Sequence, residues 1–430
     1  MSPLNLISFF GMAVLIALAW LMSKDRRNFN WRVVLWGTGL QLIFAAFIFV
    51  VPGGAKIFMF LNDVVIAVID AAGAGTRFVF GPLAIPPGQE GSMGFFLLFQ
   101  ALATVVFFAS LVALLYFLGI MPRLIDLFAR IFTRWMKLSG AESLCVSSNI
   151  FVGVESALTV RPYLEKMTRS ELVTILAAMM GTIASSVMAL YVMMLQPVFA
   201  NIAGHLVSAS ILSAPAAVVM AKVMYPESGE PVTMGKVVKG AYEKESNAVE
   251  AIINGATSGG KMVFGISVML LAFLGIVALI NKIMVFGGGG INDLLGTGID
   301  FTLEGLLGYL FYPLTLMMGV HPQDAVEIAK IIGERTVVTE VQSYQDLAAF
   351  IASGKMHDPR SAALASYALC GFAHVASLGI FIGGISALVP SRVKDLSELG
   401  FRAMIAATLG CLMTGCVAGV FLTGGSILLG

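Results

Sequence analysis

A chemical reading of this chain starts from Glu155 and Glu340, because they occupy matching places at the breaks of two short two-armed segments. A charged side chain at bilayer depth costs about 2.5–3.5 kcal/mol even on the lenient insertion scale, so it is kept only with a polar partner or a task. Each glutamate lies at a break between two apolar arms, where helix N-termini and freed carbonyls bind polar ligands and bare cations. Asn149 and the run Gly181-Thr182-Ile183-Ala184-Ser185-Ser186-Val187 supply oxygens of the kind that suit Na+, although Ser and Thr also pack helices. His374 has three readings: a donor to a ligand oxygen, a titrating proton carrier, or a packed core histidine. Two carboxylates and an imidazole can also hold a metal or perform acid–base hydrolysis. No HExxH and no Gly-x-Ser-x-Gly accompanies them. An intramembrane hydrolase is therefore a remote alternative, and the chain does not read as an enzyme.

Composition decides what kind of element must hold these residues. Of 430 residues, 58% are hydrophobic and only 12% charged, against about 25% charged in soluble domains. That supply cannot cover a water-facing surface of this size, so the lipid bilayer is the expected surrounding. A net charge of +1 gives no field to attract nucleic acid. Cys145, Cys370, Cys411 and Cys416 lie in apolar runs without CxxC spacing and read as small buried hydrophobes. No cofactor is implied.

Apolar runs cover approximately 4–22, 33–52, 94–121, 172–197, 202–221, 262–280, 302–320, 363–390 and 403–428. Each is near the roughly 20 residues that span the hydrocarbon as a helix, and none alternates as a barrel strand would. Lys24, Arg26 and Arg27 follow the first run and nothing positive precedes it, which puts the N-terminus outside. Nineteen of the 26 Lys and Arg fall in 24–32, 123–137, 161–169, 222–261 and 392–402. All of these are cytoplasmic if two further segments dip into the membrane and return.

Those two segments are 140–166, broken around Ser147-Ser148-Asn149 and Gly153-Val154-Glu155-Ser156, and 321–353, broken at Thr336-Val337-Val338-Thr339-Glu340. An arm of about 12 residues is about 18 Å of helix, enough to reach the midplane only. Both read as re-entrant hairpins, each followed by two long apolar helices. Hairpin plus two helices, twice and from opposite faces, is an inverted repeat, with substrate expected where the broken tips meet. The fold class is thus an all-α polytopic membrane protein: about eight transmembrane helices plus two re-entrant hairpins. Its divisions are 1–92, N-terminal helices and an amphipathic lead-in on the scaffold side, then 93–225 and 226–430, the two core repeats. Gly287 to Gly290 reads as a flexible external turn, and His205, His321 and His357 as interfacial residues.

Several stretches resemble the concentrative nucleoside transporter family over nearly the whole chain. Thr76-Arg77-Phe78-Val79-Phe80-Gly81 resembles the lead-in to its first core helix. Asn149-Ile150-Phe151-Val152-Gly153, with Glu155 and Arg161-Pro162-Tyr163, is similar to its first hairpin. Gly308-Tyr309-Leu310-Phe311-Tyr312-Pro313 and Glu340 through Tyr344-Gln345-Asp346-Leu347 resemble the second, and Gly371-Phe372-Ala373 the helix after it. The resemblance implies a homotrimer in a bacterial inner membrane, each protomer moving its hairpin domain as a rigid body to import a nucleoside with Na+ or H+. It implies that Gly153, Val154, Glu155, Thr339, Glu340, Phe372, His374 and Ser377 line the substrate site, and that Asn149, Val152 and Ser186 fall at the sodium position.

Three positions depart from the family pattern. The first tip, usually Gly-Gln-Thr-Glu or Gly-Gln-Ser-Glu, is one residue shorter here and lacks the base-contacting amide. The second reads Thr339-Glu340 for the usual Asn-Glu, and Ala373-His374-Val375-Ala376-Ser377 replaces Ala-Asn-Phe-Ser-Ser. A site built to pair polar groups discriminates strongly against ligands that cannot pair. A modified nucleoside or another polyol-bearing solute is therefore the alternative substrate.

Overall fold

The computed structural model describes residues 2–87, 89–153, 155–241, 245–423 and 426–429. Its described residues are helical, with one isolated bridge between Ser139 and Met234. Three helices come first: α1 (Pro3–Leu21), α2 (Trp31–Phe49) and α3 (Pro52–Phe80). Pro3 and Pro52 occupy the first turn of their helices, where a missing N–H costs nothing.

Two runs of similar order follow. The first comprises α4 (Ala103–Phe117), α5 (Ile120–Ile131), α6 (Gly140–Asn149), the single turns α7 (Ser156–Thr159) and α8 (Arg161–Leu164), α9 (Arg169–Gly181), α10 (Ser185–Leu195) and α11 (Ile202–Met224). The second comprises α12 (Ala248–Leu295), α13 (Leu303–Met317), α14 (Ala325–Arg335), α15 (Glu340–Ala352), α16 (Pro359–Leu369), α17 (Val375–Leu388) and α18 (Val393–Phe421). Each run has a leading helix, a shorter one, a helix–break–helix unit, a broken helix and an unbroken one. The leading helices α4 and α12 pack together, as do the closing helices α11 and α18. Helices α9, α11 and α18 are buried along most of their length, whereas few residues of α12 are fully buried.

The segment joining α11 to α12 crosses the base of the first helix–break–helix unit. Gly140 N–H donates to the Thr233 carbonyl (2.9 Å), Ala141 N–H to Thr233 Oγ1 (3.0 Å), and Ala241 N–H to the Thr159 carbonyl (2.9 Å). Lys222 Nζ lies 2.7 Å from Glu142 Oε1 in the same buried region.

The structure departs from the sequence reading in four places. Pro52–Phe80 form the continuous helix α3, long and apolar enough to cross a membrane; Lys56, Asp63 and Asp70 hide that run from a hydropathy reading. The runs 172–197 and 363–390 are each split, at Thr182–Ala184 and Cys370–His374, because each lies against a hairpin break. Gly287 to Gly290 are not a turn but lie inside α12: a Cβ on Gly288 would overlap the Phe301 ring, so the glycine permits close packing. His205 is fully buried in α11, with Nδ1 3.3 Å from the Tyr367 hydroxyl and Nε2 2.8 Å from the Leu428 carbonyl. The four cysteines are buried free thiols.

Candidate functional site

Each hairpin break is joined by a main-chain hydrogen bond to the broken helix that follows it. Ser185 N–H, where α10 begins, donates to the Phe151 carbonyl in the first break (3.0 Å). Val375 N–H, where α17 begins, donates to the Thr336 carbonyl in the second (3.1 Å). Four chain breaks are thus tied in two pairs, and their freed polar groups face inward.

In the first pair, α6 ends on Asn149, which is fully buried. With its amide nitrogen toward the break, Asn149 donates to the carbonyls of Val152 (3.2 Å) and Gly153 (3.0 Å), and it also meets the Ser156 hydroxyl. Its own carbonyl accepts from Thr182 Oγ1 at 3.0 Å. Asn149 and Val152 are therefore neighbours, and the hydroxyls that reach Asn149 are those of Ser156, at its side chain, and Thr182, at its main-chain carbonyl. Ser186 lies about a turn further on, in the first turn of α10. Val154 lies outside the described residues.

In the second pair, Thr339 caps α15 in extended conformation and Glu340 is the first residue of that helix. Glu340 Oε1 accepts from the Tyr191 hydroxyl of α10 at 2.6 Å, and His374 Nε2 stands 2.9 Å from Oε2. Both Glu340 and His374 are almost fully buried. His374 caps α17, its Nδ1 accepting the Ser377 N–H at 3.2 Å. Nδ1 is thereby committed as an acceptor, so the ring proton sits on Nε2 and faces the carboxylate. Ser377 Oγ in turn donates to the Phe372 carbonyl. Tyr191 stacks on Tyr344 with ring centroids 4.3 Å apart.

Gly153, Glu155, Thr339, Glu340, Phe372, His374 and Ser377 all line one cavity of about 120 Å3, closed on another side by Met262, Ile266 and Met269 of α12. Every described residue expected at the substrate site is therefore brought together. A larger recess of about 570 Å3 lies among α13, α14 and α15, lined by Glu304, Glu327, Lys330, Glu334 and Asp346, and holds none of these residues. Sequence reasoning missed Tyr191 and the α12 methionines. Tyr191 carries the only hydroxyl in Val187–Leu195, a signal available in principle, whereas the α12 wall depends on packing between the two runs.

Paired broken helices around a cavity with an acidic and an imidazole group among mostly apolar walls, inside a bundle with eight helices long and apolar enough to cross a membrane among the described residues, define a membrane transporter of the inverted-repeat class. Three family profiles match in order: "Na+ dependent nucleoside transporter N-terminus" over 10–83, "Nucleoside recognition" over 98–198, and "Na+ dependent nucleoside transporter C-terminus" over 205–419. The chain belongs to the Na+-dependent nucleoside transporter family, whose members are transporters and not enzymes.

Among relatives, nucleoside permease NupC of Helicobacter pylori is 34% identical over 97% of this chain and 98% of its own. Solute carrier family 28 member 3 of Homo sapiens is 36% identical over 97% of this chain but 60% of its own length. The solved structure of CNTnw in an inward-facing substrate-bound state is 34% identical, with a TM-score of 0.87, covering 99% of this chain and all of that one. A variant of CNTnw in an outward-facing state matches with a TM-score of 0.86 at 33% identity, covering 98% of each chain.

Proposed function

We propose that this protein is a secondary active symporter that imports a nucleoside by alternating access, driven by Na+. The observation that carries the reading is the convergence of Glu155, Glu340 and His374, from both hairpin breaks and the second broken helix, on one cavity. Glu340 and His374 offer acceptor and donor groups to the hydroxyls and base of a nucleoside, Phe372 offers a ring face, and Gly153, Val154, Glu155, Thr339 and Ser377 complete the lining. The Asn149 and Val152 oxygens, with Ser186 and Thr182 nearby, are the proposed Na+ ligands. The cavity is smaller than the roughly 300–1,000 Å3 of ordinary ligand pockets. Substrate admission therefore requires the hairpin breaks to part from α12, which is the motion an alternating-access carrier needs.

The energetics suit this. One cation crossing 100 mV releases about 2.3 kcal/mol, enough for roughly 50-fold accumulation of a neutral solute. The proposal includes re-entry of both hairpins to the midplane, residence in a bacterial inner membrane with the N-terminus outside, and division at about 92 and 225. It also includes a homotrimer, for which the long exposed face of α12 offers a surface.

Uptake of labelled uridine into proteoliposomes tests the reading. Replacing Na+ by choline at fixed pH is expected to reduce uptake to background. Persistent uptake that follows a pH gradient would transfer the coupling to H+. The modified-nucleoside alternative is favoured by one observation: both Glu340 oxygens already face protein partners. Competition by uridine, adenosine and pseudouridine separates the two.

A further inference from the structure

Where α2 meets the end of α5, the chain gathers positive charge that its own acids do not neutralise. Arg32, in the first turn of α2, donates through Nε to the Trp135 carbonyl (3.1 Å) and through Nη2 to that of Arg134 (3.2 Å). One turn along α2, the Trp36 ring lies against Trp135 with centroids 5.2 Å apart, and both rings are exposed. Arg123, Arg130, Arg134 and Lys137 are exposed as well. None of these five cations joins an ion pair among the described residues, and Asp126 is the only acid between Ile120 and Lys137.

Helix capping does not account for so much charge. A helix end carries about half a negative charge, which the Arg32 hydrogen bonds already offset. The preference of cytoplasmic loops for Lys and Arg explains charge on that side, but not its assembly from two distant segments around a tryptophan pair. The backbone is specialised here too. Phe132–Met136 continue α5 as a wide π turn, a winding frequent at functional sites. Lys137 follows at φ 53, the one non-glycine residue at positive φ among the described residues. Glycine would hold that conformation at less cost, yet a cation is kept. The same helix offers an apolar edge: Ile120, Leu124 and Leu127 share one exposed face, whereas Met121, Ile125 and Ala129 are buried. Leucine beside arginine on one exposed helix face suits the headgroup boundary of a bilayer, the depth that tryptophan also favours. A soluble anion has no use for the leucine edge.

We propose that the α2–α5 junction binds an anionic phospholipid, its phosphate held by Arg32, Arg130, Arg134 and Lys137 and its acyl chains lying beside Leu124 and Leu127, and that this lipid supports transport. The connection to transport runs through α5. This helix packs on the hairpin arm α6, and its Phe128 ring lies 6.2 Å from that of Phe151 in the first break. The Phe151 carbonyl accepts the Ser185 N–H that ties the break to α10. A lipid that fixes α5 therefore steadies one wall of the substrate cavity. On the topology proposed above, the junction faces the cytoplasm, where anionic lipids attract basic segments. The effect on uptake rests on the symport reading, whereas the binding of lipid does not.

The experiment places the full-length protein in vesicles of phosphatidylcholine alone and of phosphatidylcholine with an equal part of phosphatidylglycerol. Uridine uptake at saturating Na+ is expected to be at least about fivefold faster with phosphatidylglycerol, the scale of one basic residue at an anionic surface. Arg130→Gln, Arg134→Gln and Lys137→Asn combined should bring that ratio close to one; asparagine tolerates the left-handed backbone at 137. Equal uptake in both vesicle types by the unaltered protein, or an undiminished ratio in the triple variant, overturns the proposal. Binding is also read without transport. The melting temperature of the detergent-solubilised protein should rise with added phosphatidylglycerol and not with phosphatidylcholine. No rise overturns the site, and an equal rise with inorganic phosphate overturns the lipid as its occupant. If the triple variant does not fold, Arg134→Gln alone, expected to lower the uptake ratio at least about twofold, decides together with the melting measurement. Uptake that ignores Na+ in both vesicle types defeats the symport reading and leaves the melting test standing.

Discussion

In the first repeat, the hairpin arm α6 ends on an amide and its tip glutamate, Glu155, is half-buried and joins no ion pair among the described residues. In the second, α14 ends on a guanidinium, and the tip glutamate Glu340 is buried between Tyr191 and His374. The bases of the two hairpins are both held by buried groups. The first is clamped by the buried Lys222–Glu142 pair at 2.7 Å; at the second, the buried Asp324 accepts from the His357 and Asp358 N–H groups at 2.8 and 3.1 Å, and the part-exposed Lys330–Asp300 pair lies midway along α14. One backbone plan thus has a fixed base in both repeats and a more tightly paired tip in the second. A pre-organised tip suits recognition, since its groups lose little freedom when a ligand arrives. A looser tip above a fixed base suits a part that must adjust around substrate and cation.

The largest effect that tests this contrast is expected at the first base. Lys222→Met leaves the Glu142 carboxylate buried and unpaired, and should cost about 3–5 kcal/mol, read as a fall in thermal stability of purified protein. A loss below about 1 kcal/mol, the level of an exposed pair, would show that the base is not rigid. At the second tip, Glu340→Gln should reduce uridine uptake by at least about 100-fold, since a buried hydrogen-bonded charge is worth about 2–5 kcal/mol in binding, while assembly is retained. Unchanged uptake would make this carboxylate structural. His374→Asn changes which groups face the ligand and should shift the competition profile toward ordinary nucleosides by roughly one decade, the scale of one hydrogen bond to a charged group. An unaltered profile removes His374 from recognition.

The smallest effect belongs to the part-exposed Lys330–Asp300 pair on α14. Burial raises the Asp300 carboxyl, but hydrogen bonds from Lys330 and Thr302 outweigh it and hold it at about 2, below the ordinary 3.8. A lowered folded-state value means stability that is present above 3.8 and lost as the pH falls through about 2. Lys330→Ala should therefore cost under about 1 kcal/mol at neutral pH, and the gap to the unaltered protein should close between pH 4 and 2. A gap that persists at the acid end would assign the effect to packing of the lysine stem.

The sequence carried the architecture well because its strongest signals are local. Apolar runs, the polar break at Thr336–Thr339 and a glutamate at each tip need no tertiary information to be seen, whereas Ser147–Asn149, read as a break, lie inside α6, which ends only after Asn149. What it did not carry depends on contact. The kink of 172–197 at Thr182 exists because Phe151 supplies a carbonyl to Ser185, which no hydropathy window senses. Thr182, not Ser186, reaches Asn149 for the same reason. Tyr191 acquires its meaning from Glu340, 149 residues away. The glycines of α12 look like a turn until Phe301 is seen to fill the space beside Gly288.

The two links that tie each hairpin break to its broken helix, Ser185 to Phe151 and Val375 to Thr336, are made by backbone atoms alone. Such stitches are blind to side-chain identity, and proline is the one replacement that removes a donor outright. A lineage can therefore exchange the residues that greet the cargo while the chassis stays in register. Diversification of what is carried, without relearning how to fold, follows directly from where those two bonds are drawn.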